Sequence, residues 1–164
     1  MQRMSAHEFL ARGARTLEVS EPDPATALAM VHDLQMELCD ILETIADLLP
    51  DRHDRSECAE LAQALVPMVT KLHSFEENVL FSYALRRASL SKPVSRAIER
   101  FLGEHSEDEF RLEELSELLR ELGRERQPAN PEAAGYLLRS VFEAIRRHCV
   151  YEREYLSNLL DDGA

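Results

Sequence analysis

LHSFEENVLF, residues 72–81, is the stretch on which the reading of this chain turns. His73 and Glu77 stand four residues apart. On a helix that spacing puts both side chains on one face, with Cβ atoms ~5–6 Å apart. A ring nitrogen and a carboxylate so placed can grip one ion, or the carboxylate can reach to a second. Moving outward, Leu65, Val69, His73, Glu77, Leu80 and Ala84 follow one another at steps of three or four. The polar pair therefore sits inside an apolar helical stripe, with Glu76 beside it.

The same spacing recurs downstream. HSEDE carries His105 and Glu109, and HCVYE carries His148 and Glu152. His105 and Glu109 interrupt the stripe Ile98, Phe101, Leu112, Leu115. His148 and Glu152 interrupt the stripe Leu138, Val141, Ile145, Tyr155, Leu159. Further upstream, His32 falls in the stripe Leu28, His32, Gln35, Leu38, Leu42. Spacing alone is weak evidence: glutamate is abundant, and about one such pair is expected by chance. His53 and Glu57 also match, within the polar run DRHDRSE, and are read as a solvated loop and helix start. Context separates the other pairs from this one. A buried ionised glutamate is costly unless it is paired or binds a metal. A lone core histidine is commonly a satisfied polar group. Three glutamates and four histidines at inward positions need a common answer, and two multivalent cations supply it.

The surrounding sequence predicts helices throughout. Ser5 and Glu8 have the spacing of a capping box, opening a short helix from Ala6 to about Leu17. EPDP at 21–24 breaks it, and Asp23-Pro24 is a helix start with Pro in the first turn. Four long helices follow, over about 24–49, 56–87, 93–122 and 131–160, separated by DRHDRS, the Ser89–Pro93 turn and the run ending QPANP. Pro67, inside the second, predicts a kink or a short first segment. No segment alternates with period two, so no strands are indicated. The fold expected is all-α: an up-down-up-down four-helix bundle over 23–162, with residues 1–22 as a short helical appendage.

Composition narrows the function classes. The chain has 164 residues, enough for one domain with a substantial core. Its formal charge of −12 repels nucleic-acid backbones and anionic membrane surfaces, so neither is an expected partner. No apolar run reaches transmembrane length, and the first residues lack the apolar core of a signal peptide. Cys39, Cys58 and Cys149 form no CxxC pair, which suits a reducing cytoplasm. Cys39, Cys149 and Tyr155 read as packing residues, Glu76 as a solvated or supporting group that could also replace or assist Glu77, and EELSELLRELGRER at 113–126 as a charged helix face. No P-loop, G-x-S-x-G, zinc CxxC or catalytic-triad pattern is present.

Taken together, VHDL in the first long helix, LHSFEENVLF in the second, LGEHSEDEFRLEEL in the third and IRRHCVYEREYL in the fourth resemble the hemerythrin-like, or HHE cation-binding, family over about residues 24–160. The resemblance implies a non-haem di-iron centre, with manganese or zinc as other possible occupants. By position it makes His32, His73, His105 and His148 terminal nitrogen ligands, and Glu77 and Glu152 bridging carboxylates. Oxygen-carrying members have a histidine where this chain has Glu109, a harder, charged donor that favours ferric iron. They also commonly have aspartate five residues after the last histidine, where this chain has Glu152 at four. The function expected is binding or sensing of iron, oxygen or a related diatomic or peroxide. The rival readings are an oxidase- or peroxidase-like enzyme removing oxygen, peroxide or nitric oxide, and a metal-free helical interaction module.

Overall fold

The computed structural model describes residues 4–16, 23–89, 91–125 and 127–160. All regular structure among them is helical: α1 (Ala6–Thr16), α2 (Pro24–Asp47), α3 (Arg55–Phe75), a π-helical segment (Glu76–Phe81), α4 (Ser82–Arg87), α5 (Lys92–Arg124) and α6 (Pro131–Leu160). None of these helices is long and apolar enough to cross a membrane.

Local chemistry accounts for the starts. The Ser5 Oγ accepts from the Glu8 backbone N–H, and the Ser5 N–H donates to the Glu8 carboxylate, a reciprocal box at the head of α1. Asp23 accepts the Thr26 N–H at 3.0 Å, and Pro24 follows in the first turn of α2. Asp54 caps α3 by accepting from Ser56 and Glu57. Leu17, where the first helix was expected to end, lies outside the described residues.

Pro67 does not break α3, which runs through it. Its ring is on the exposed side of the helix, where the carbonyl deprived of a partner can be hydrated. The departure from α geometry comes one turn after His73, in the π-helical segment. Such segments accommodate an extra residue within a helix and often occur at functional sites.

α3 packs chiefly on α5, α2 on α6, and α5 on α6, while α1 lies against α2 and α3. α1 inserts Phe9 and Ala6 fully into the core. Burial of the Phe9 ring contributes roughly 1.5–3 kcal/mol. The core is divided in two. One apolar cluster contains Leu34, Leu38, Leu42, Leu61, Leu65, Leu112, Leu119 and Leu138, with Phe9. The other contains Leu28, Leu80, Phe81, Ile98, Phe101, Leu156 and Leu160. Between their positions on all the long helices lie buried polar residues: His32 and Gln35 on α2, His73 at the end of α3, Glu76 in the π-helical segment, His105 and Asp108 on α5, and His148 and Glu152 on α6. One expectation for the stripes is corrected. Tyr155 is half exposed, with its ring edge-on to Phe101. Leu102 also faces outward, because the inward face of α5 runs through Ile98, Phe101 and His105.

Candidate metal centre

The four histidines expected inward, together with Glu152, converge in this polar layer. His32 Nε2 lies 2.7 Å from Glu152 Oε2, and His148 Nε2 lies 3.6 Å from the same oxygen. The His73 and His105 rings stack in parallel with centroids 3.9 Å apart. His105 Nε2 is 3.2 Å from His148 Nε2 and 3.3 Å from Glu76 Oε2. Phe81 stacks on His105, and Phe101 meets His148 edge-on, so one wall of the layer is aromatic.

Glu76, and not Glu77, carries the carboxylate from this part of the chain into the centre. Glu76 is fully buried. Glu77 is partly exposed, with Oε1 2.8 Å from His105 Nδ1. The exchange is a matter of helix face: the buried residues run His73, Glu76, Leu80, Ala84 as α3 passes into the π-helical segment. Glu109 is likewise outside the cluster, on the exposed face of α5. Its turn instead buries Asp108, three residues after His105. His53 is corrected as well. It is buried, and its Nε2–H donates to the Leu122 carbonyl at 3.1 Å, far along the chain from the polar layer. Its companion Glu57 is buried too, and accepts from the Ala6 N–H at 3.1 Å. This pair serves packing and helix ends.

Among the described residues, two groups of three donors have the proximity a metal requires. His73, Glu76 and His105 form one; His32, Glu76 and Glu152 form the other; all are buried. Glu76 belongs to both.

The donor chemistry also fits cations. A carboxylate accepts hydrogen bonds, so Glu77 on His105 Nδ1 and Glu104 on His148 Nδ1, each at 2.8 Å, place the ring protons on those nitrogens. Both Nε2 atoms then carry lone pairs, directed into the layer 3.2 Å apart. Glu76 Oε2, Glu152 Oε1, His32 Nδ1 and His73 Nδ1 are buried without a hydrogen-bond partner. Such orphaned atoms are costly in a core, and a shared positive charge is what they lack. Gln35 orients Glu76 by donating to its Oε1 at 3.2 Å, and the Cys149 thiol in turn donates to Gln35 Oε1 at 3.0 Å.

Electrostatics reflect the same crowding. Burial, then repulsion from Glu152, drives the Glu76 carboxyl well above the ordinary carboxylate range. Burial lowers His73 to about 4 and His105 to about 2, with neighbouring histidines adding to the effect. Both rings are therefore neutral, the form that ligates metal. Burial raises Asp108, against the opposing pull of His148 and Arg111. It also pushes the Cys149 thiol up, leaving it a protonated donor.

Among the residues that the sequence had not singled out for the centre, Glu104 and Asp108 carry no pattern beyond lying near His105. In the sequence Glu76 stands beside Glu77 with only a supporting role indicated. A cavity of about 400 Å³ between α5 and α6 reaches His148, lined also by Arg100, Gly103, Glu104, Asp108 and Arg147.

Fold and site thus define an all-helical protein with a buried histidine and carboxylate cluster suited to cations. The family model described as the hemerythrin HHE cation-binding domain matches residues 23–160, and the chain belongs to that family. Comparison with curated proteins and with solved structures gives no match.

Proposed function

We propose that the chain holds a di-iron centre and uses it to bind or sense a small ligand: dioxygen, nitric oxide or a peroxide. The observation that carries this reading is the sharing of Glu76 between two buried donor groups. One carboxylate common to two sites is what a bridged pair of ions needs. In this reading His32, His73, His105 and His148 are nitrogen donors, and Glu76 and Glu152 are the carboxylates. Glu77 backs His105 from outside. Iron is the metal typical of the family, while the donor set would also accept manganese or zinc. When bound, iron supplies a redox-active Lewis acid with coordination positions open to a small ligand.

The chain's own residues prepare the place. Glu77 and Glu104 hold two rings in the ligating tautomer, and Gln35 aims Glu76. Phe81 and Phe101 exclude water from one side, and the cavity beside His148 offers an approach from solvent. We further infer an up-down-up-down order for the long helices over 23–162, with residues 1–22 added to it, and a reducing cytoplasmic setting for the three buried thiols.

The test is elemental analysis of protein purified without chelators, combined with optical spectra under air, under reductant, and after adding nitric oxide or peroxide. About two iron ions per chain and a ligand-dependent spectrum are expected. Iron below one per several chains would sink the reading. Sustained consumption of oxygen or peroxide with a reductant would move it from binding to catalysis.

A further inference from the structure

We propose that Glu104, anchored by Arg100, is a positioning residue that fixes the His148 ring and sets how strongly its Nε2 donates to a bound metal. The proposal rests on the di-metal reading above.

The geometry is a relay of contacts running inward from the surface. The Arg100 guanidinium lies over the Tyr151 ring, 4.7 Å from its centroid. Arg100 Nε donates to Glu104 Oε1 at 2.8 Å. Glu104 Oε2 accepts from His148 Nδ1 at 2.8 Å. Each carboxylate oxygen thus has one charged or ring donor, and the relay ties α5 to α6 beside the centre. With an N–H donor on each oxygen, the Glu104 carboxylate has both oxygens engaged as acceptors.

An ionised acceptor on Nδ1–H pushes electron density toward Nε2 and locks the ring's orientation. The effect is not uniform around the cluster. His105 has Glu77 behind it, but among the described residues no lysine or arginine pairs with Glu77. His32 and His73 have no partner on Nδ1. His148 is therefore the donor with the best anchored support. Its neighbours on the cavity wall do not duplicate this: Glu107 and Asp108 pair with Arg111 instead.

The experiment compares Glu104→Gln with Glu107→Gln, both loaded with iron beside the wild type. Each removes one negative charge from α5 at the same cavity, but only the first touches a histidine. Iron retention is measured against a graded chelator series, and the reduction potential is followed through the visible absorption. Glu104→Gln is expected to weaken retention 10- to 100-fold, to shift the potential positive and to change the charge-transfer band. Glu107→Gln is expected to match the wild type. If Glu104→Gln fails to fold by circular dichroism, Arg100→Gln, which keeps the carboxylate and removes its anchor, is read for weakened iron retention. Wild-type behaviour in the variants, with two irons in every sample, would overturn the role of Glu104 and leave the di-metal reading standing. Equal shifts in Glu104→Gln and Glu107→Gln would overturn it too, pointing to through-space charge. A wild type without iron would overturn both.

Discussion

Replacing Glu76 with glutamine tests the centre from two opposite directions. The substitution keeps the side chain's size and removes a charge that is fully buried. In metal-free protein Glu76 Oε2 has no hydrogen-bond partner, and Glu152 repels it. An unsatisfied buried polar atom costs ~1–3 kcal/mol. Loss of the charge should stabilise the metal-free form by about that much, or roughly 5 °C at the ~2–4 °C per kcal/mol typical of this chain length. The pH dependence has a definite sign. The folded-state pKa of Glu76 lies above its ordinary value of 4.5. Over that window the folded chain holds more protons than the unfolded one, so this group's contribution falls as pH rises, by at most ~1.4 kcal/mol per pH unit. Glutamine abolishes that slope. With metal present the order reverses, because Glu76 serves both donor groups. The wild type should gain stability on loading, about 2.7 kcal/mol at a hundredfold excess over Kd, while Glu76→Gln retains fewer ions and gains less. Thermal melts with and without chelator between pH 5.5 and 8, alongside elemental analysis, read both effects. A metal-free variant that melts below the wild type at pH 7.5, or a variant that keeps its full iron, would refute the reasoning.

Other outcomes follow from the same geometry. His73→Ala should lose much of its metal, whereas His53→Ala should keep it and lose ~1–3 kcal/mol of stability through the bare Leu122 carbonyl; comparable metal loss in both variants would contradict the assignment. Glu109→Ala, on an exposed face, should keep wild-type iron and an unchanged spectrum, and loss of iron would place that residue at the centre after all. His73 and His105 are held below their ordinary value of 6.5, at about 4 and about 2. The stability this gives the metal-free fold is full above pH 6.5 and falls as pH drops toward 4, since the unfolded chain takes up protons that the folded one refuses. Urea melts at pH 7 and pH 5 in the Glu76→Gln background, which removes the opposing titration, should show the loss; equal midpoints would refute it.

Local rules carried the sequence reading a long way. Asp23 with Pro24, and Ser5 with Glu8, act within one turn of chain, so their caps could be read directly. The apolar stripes gave the long helices, and a histidine interrupting such a stripe is expected to point inward. His32, His73, His105, His148 and Glu152 were legible as inward residues for that reason, and all five are buried. Glu76 and Glu77 were not separable, since positions three and four beyond a histidine lie on neighbouring parts of one face. Which of the two enters depends on the helix's local winding, and the π-helical segment beginning at Glu76 alters that winding. Asp108 and Glu109 pose the same ambiguity on α5. Its packing against α3 and α6 settles which one is covered. His53 shows the limit most plainly. In sequence it belongs to a polar connection, but its partner is a carbonyl 69 residues away at the end of α5. The pairing of Glu104 with His148 also spans two helices, 44 residues apart. Periodicity and capping are properties of one helix and are written in its own residues. The rotation of each helix against the others, and hence which carboxylate meets which ring, is decided only when all of them pack together.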